Sequence, residues 1–162
     1  MTLLDFMLYD EPRAVLGVAP EELEDATLEL PIYAKQLSME LETLYPGLEQ
    51  LYLETKALPS PSAQEQKLLN VVSVYASYAI SQILLTSASL FAPKRITEGK
   101  AETDRIADPF QDVRDGVSLA VITLKIRVLA ALAAMGQQVT VTTTTRTYFA
   151  AAPLSINPIT NI

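Results

Sequence analysis

The chain has 162 residues, 49% of them hydrophobic, enough for one domain with its own core and too apolar for disorder. Twelve Lys and Arg against 19 Asp and Glu leave a net charge of −7, which argues against winding around nucleic acid, because that needs a basic face. Cysteine and histidine are both absent, which excludes disulfides, thiolate or imidazole metal sites, Ser-His-Asp triads, Cys-His dyads and the Glu-x-x-His pairs of di-iron bundles.

The opening MTLLDFMLYDEPR has no basic segment and no cleavage site, so no signal peptide is expected. A short helix starts near Asp10, carries Pro12 in its first turn and stops at Gly17. APEEL then restarts a helical turn, with acids near the positive end of its dipole, and Asp25 can cap the helix after it. Pro31 opens or kinks the next helix, which runs to about Leu44 with Leu30, Tyr33, Leu37, Leu41 and Leu44 at helical spacing. YPG breaks it, and a short helix spans Leu48 to Lys56.

After the loop ALPSPS, Ser62 and Glu65 read as a capping box that opens a long helix ending near Ala92, before Pro93. No charge occurs between Lys67 and Lys94, a stretch long enough to cross a bilayer. Asn70, Ser73, Ser77 and Ser81 nevertheless form one polar stripe, and Val71, Val74, Tyr75, Tyr78, Ile80, Leu84 and Leu85 occupy the other faces. The expectation is a soluble helix buried on most sides and no membrane contact.

PKRITEGKAETDR is a polar surface loop, locally positive through Lys94, Arg95, Lys100 and Arg105. It is either a solvated loop or a contact site for an acidic partner. Asp108, Pro109 and Gln111 signal a second long helix, which runs to Met135 and stops at Gly136. That helix has two apolar faces. One carries Val117, Val121, Leu124, Val128 and Leu132, the other Leu119, Ile122, Ile126, Leu129 and Ala133. A compact bundle with both long helices central, or oligomerisation, would supply the burial.

The remainder, residues 139–162, has strand character. Val139, Val141, Thr143, Thr145, Thr147 and Phe149 alternate with Thr140, Thr142, Thr144, Arg146 and Tyr148, and no second strand is available in the chain to pair with them. The segment is a disordered tail or an arm that docks on another protein. Few charges and the retained Tyr148, Phe149, Leu154, Ile156, Ile159 and Ile162 favour the arm. The expected fold is therefore mainly α, a helical bundle of residues 1–138 with two long apolar helices, followed by an extended C-terminal arm.

No catalytic constellation is found. Glu21, Glu22, Glu24, Asp25 and Glu29 match no calcium loop and suit a solvated helix start, and Glu40 and Glu42 point to different sides of a helix. The tyrosines read as packing residues. No enzyme activity and no cofactor are expected.

VLGVAPEEL at residues 15–23 and APKRITEGKAETDRIADPFQDV at residues 92–113 resemble segments of the head-to-tail connector proteins of tailed bacteriophages, also called adaptor or head-completion proteins. The order of parts, a helical body, two long apolar helices joined by a Pro- and Gly-containing segment, and an extended tail, is similar as well. The resemblance implies a non-enzymatic homo-oligomeric ring, typically of twelve copies, beneath the capsid portal. It would sit in the virion neck after assembly in the host cytoplasm, extend the DNA channel without binding DNA specifically, and contact the next neck or tail protein. Such adaptors dock on the portal protein through C-terminal arms, here Val139, Val141, Thr143, Thr145, Arg146, Thr147, Tyr148, Phe149, Leu154 and Ile156. Lys94, Arg95, Lys100 and Arg105 would contact the next neck or tail protein. The alternatives are a small membrane-active helical protein of the holin type and a generic oligomeric helical regulator.

Overall fold

A computed structural model describes residues 2–86 and 111–137. Among them it is a mainly α bundle: a 3-10 turn at Leu3–Asp5, then α1 (Asp10–Leu16), α2 (Asp25–Leu28), α3 (Pro31–Leu44), α4 (Leu48–Lys56), α5 (Ala63–Thr86) and α6 (Gln111–Ala134). The arm at residues 139–162 and the loop cations Lys94, Arg95, Lys100 and Arg105 lie outside the described residues. So do the expected last turns of α5 and the expected Asp108–Pro109 start of α6.

Local chemistry sets most boundaries. Ser62 and Glu65 form the expected capping box: the Ser62 N–H donates to Glu65 Oε2 at 2.6 Å and the Glu65 N–H to Ser62 Oγ at 3.3 Å. A second box, Thr2 with Asp5, closes the N-terminal 3-10 turn. Pro31 occupies the first turn of α3 and opens it without a kink. Gly136 sits at φ 78°, where a side chain would be strained, and the Gln137 N–H bonds back to Leu132 O at 3.1 Å. That is the stop expected after α6.

Three local expectations are corrected. Asp25 is the first residue of α2 and not its cap; its carboxylate turns back to Arg13. Leu30 precedes α3 with an exposed side chain and does not join the buried row Tyr33, Leu37 and Leu41. The serine end of the α5 polar stripe does not face water: Ser77 and Ser81 are buried against α1, where Ser77 donates to Glu11 and Ser81 lies 3.4 Å from Pro12 O. Ser81 also bonds Ser77 O within its own helix at 2.8 Å, so each hydroxyl is satisfied inside the bundle.

α5 is the hub. It packs against α1, α3, α4 and α6, and its Leu68, Val72, Tyr75, Ile80 and Leu84 are fully buried. α6 leans substantially on α5 alone. The bond from Gln82 to Ser118 near one end, and the Glu40 carboxylate shared by Tyr75 and Lys125 nearer the other, give the pair an antiparallel register.

Candidate functional site: the outer face of α6

Val117, Val121, Leu124, Val128 and Leu132 of α6 are buried against α5. The second apolar face of the same helix is not. Leu119 is 67% exposed, Ile122 59% and Ile126 64%, with Leu129 half-buried and Ala133 exposed beyond them. These five alternate three and four residues apart, the spacing of a seam that seats against another helix. Among the described residues nothing covers it. Single exposed leucines are ordinary on a protein surface; a continuous row of large aliphatic side chains along three turns of one helix is not.

A groove of about 370 Å³ runs beside this row, with Val74 and Tyr78 of α5 on one wall and Gly116, Leu119, Ala120 and Thr123 on the other. Val74 is exposed, although the sequence pattern placed it on a buried face of α5. Arg127 lines the end of the groove and Asp115 lies near the start of α6; both are exposed and neither has an ion-pair partner among the described residues. Both long helices are long and apolar enough to cross a membrane, but they differ in cover: within the most apolar stretch, 56% of α5 is buried and 33% of α6.

One polar node holds α6 to the body beyond α5. Glu40 Oε2 of α3 accepts from the Tyr75 hydroxyl at 3.2 Å and from Lys125 Nζ at 3.1 Å. Burial, and then the neighbouring Glu40 carboxylate, raise the Tyr75 phenol well above its ordinary value, so it is a protonated donor throughout the physiological range. Glu42 turns the other way and accepts from the Gly47 N–H at 3.0 Å, so the two acids are not an acid-base pair. At the far end of the helix, the Tyr45 hydroxyl donates to Gln137 Oε1 at 3.1 Å.

Three of the early acids serve the fold. Glu22 accepts from the Ala19 N–H at 2.8 Å, while Asp10 and Asp25 hold the buried Arg13. The Arg13 guanidinium reads the Leu23 carbonyl through Nε at 2.9 Å and Nη2 at 2.7 Å. Sequence patterning assigns Arg13 no role. Its only signal is a lone cation amid acids three residues before and twelve after.

A second concavity, about 570 Å³, lies on the side of the molecule built from the N-terminal turn, α2, α3 and α4, with no residue of α5 or α6 in its wall. Leu4, Leu28, Leu30 and Ala34 make it apolar; Glu29, Lys35 and Glu49 stand in its lining. Sequence patterning does not reveal it, because its wall is assembled from four separate elements. Compared with known proteins, the chain matches no protein-family model, no curated protein and no solved structure.

Proposed function

We propose that the chain is a non-enzymatic structural subunit, the head-to-tail adaptor of a tailed bacteriophage, and that several copies stand side by side in a ring under the portal. The observation that carries this reading is the heptad-spaced row Leu119, Ile122 and Ile126, which no described residue covers and which asks for a protein neighbour. The resemblance of residues 15–23 and 92–113 to connector proteins supplies the kind of assembly. A net charge of −7 suits a channel that lets DNA pass without gripping it. In this reading the arm with Val139, Val141, Tyr148 and Phe149 docks on the portal, and the loop with Lys94, Arg95, Lys100 and Arg105 meets the next neck or tail protein. Copy number per portal complex, measured on purified particles, tests it: about twelve is expected, and one or two copies would overturn it. A chain cut after Gln138 should fail to join the portal, leaving filled heads without tails.

The thin cover of α6 favours a second reading, a membrane-active helical protein. Flotation with lipid vesicles separates the two. The adaptor stays in the dense fraction without detergent, and a membrane-active chain floats.

A further inference from the structure

The chain carries two apolar surfaces on different elements. The outer face of α6 is a row of exposed aliphatic side chains, Leu119, Ile122 and Ile126, of which Leu119 also walls the groove beside α5. The cleft between the N-terminal turn and α3 is concave and apolar, with Leu4 and Leu30 exposed at its rim. An exposed aliphatic row and a pocket at different places on one chain form a heterologous pair: joined between copies, they propagate in one direction and close into a ring if the rotation allows. Two copies joined through the α6 face alone would instead form a closed dimer with nothing left to extend it.

Charged groups also stand where this pairing can use them. α6 presents Asp115 and Arg127, about 18 Å apart along its axis, on either side of the aliphatic row. The cleft presents Lys35, Glu29 and Glu49, of which Lys35 and Glu29 are exposed and make no ion pair within the described residues. Arg127 can therefore meet Glu29 or Glu49 while Asp115 meets Lys35. Tyr9, also in the cleft wall, has its phenol raised by burial and then by the Glu29 and Asp25 carboxylates, consistent with a negative field at that place.

We infer that a second copy of this chain is the occupant of the cleft: the outer face of α6 from one copy, Leu119, Ile122 and Ile126, seats in the Leu4–Leu30–Ala34 cleft of the next. The inference rests on the ring reading and gives it a specific contact.

The chain has no native cysteine, so thiol chemistry tests the contact directly. Ile122→Cys and Leu30→Cys are both at exposed positions, and each variant should melt like the parent. If either fails to fold, Leu119→Cys with Lys35→Cys takes the place of the pair. Mixed single variants treated with a short bis-maleimide should give cross-linked dimers, and the double variant should give a ladder beyond dimer. Arg127→Glu should cut the yield at least tenfold, and adding Glu29→Lys and Glu49→Lys should restore it. Linking of Ile122→Cys to itself alone, stopping at dimer, overturns the inference in favour of a two-fold pair. Resistance of Ile122→Cys to a monofunctional maleimide in the monomer also overturns it, because the face is then covered by its own chain. Particle shape in the electron microscope keeps the two claims apart. Closed rings without mixed cross-links remove this contact and leave the ring reading. Open filaments with mixed cross-links keep the contact and remove the ring.

Discussion

The Tyr75 hydroxyl and Lys125 Nζ converge on one oxygen, Glu40 Oε2, at 3.2 and 3.1 Å, so a single carboxylate of α3 fastens both long helices. The two bonds differ in weight. Tyr75 is fully buried, whereas the Lys125 and Glu40 side chains are 38% and 44% exposed. The ion pair is screened by water and contributes little; the phenol has no other partner among the described residues.

Glu40→Ala is expected to cost about 1–3 kcal/mol, because it strands a buried hydroxyl. Tyr75→Phe, which removes the donor and leaves Glu40 in water, should cost about 0.5–1.5 kcal/mol. Lys125→Met should change stability by less than about 1 kcal/mol. Urea denaturation of the three variants orders them.

Alkaline pH should unfold the protein earlier than its carboxylates alone would suggest. The phenols of Tyr9, Tyr52 and Tyr75 are all raised, chiefly by burial. A raised value means that the fold favours the protonated form. That contribution is whole below the unfolded value near 10 and is lost as pH climbs through the folded values. Melting tracked from pH 8 to 11 should show a fall that Tyr75→Phe makes shallower.

Arg13→Ala should destabilise by about 1.5–3 kcal/mol, since it removes charge-assisted bonds to the Leu23 carbonyl and to Asp25 from a buried site. Arg13→Lys should recover only part of that, because an ammonium lacks the planar fork that takes Leu23 and Asp25 together. The denaturation midpoints check both.

The two faces of α6 should respond differently to truncation. Leu132→Ala, at a fully buried position, is expected to cost about 2–5 kcal/mol. Ile122→Ser on the outer face should stay within about 0.5 kcal/mol in the unassembled chain. A large cost at Ile122 would show that the face is packed even in the monomer. Thermal melts at low protein concentration make the comparison.

Ending the chain after Gln137 should leave the bundle intact. Gly136 and Gln137 already close α6 through bonds to Ala133 and Leu132 carbonyls, and Tyr45 anchors Gln137. The expected readout is an unchanged helical circular dichroism signal per helical residue and a melting temperature within a few degrees of the full chain.

The sequence alone determined most of the helix boundaries among the described residues, because those events are decided within a few residues. Gly17 and Gly136 take left-handed backbone, Pro31 opens a helix at its first position, and Ser62 with Glu65 satisfies backbone donors that no distant residue reaches. It also showed that the last helix has two apolar faces. Only the tertiary structure decided which neighbour each face meets. Periodicity marks Ser77 and Ser81 as a polar stripe, but a hydroxyl that bonds Glu11, or its own helix, is as content inside as in water. Likewise the 3.6-residue repeat gives Val121 and Ile122 equal claims to the core. Packing on α5 buried the first and left the second exposed, because one helix has room for only one face of its partner.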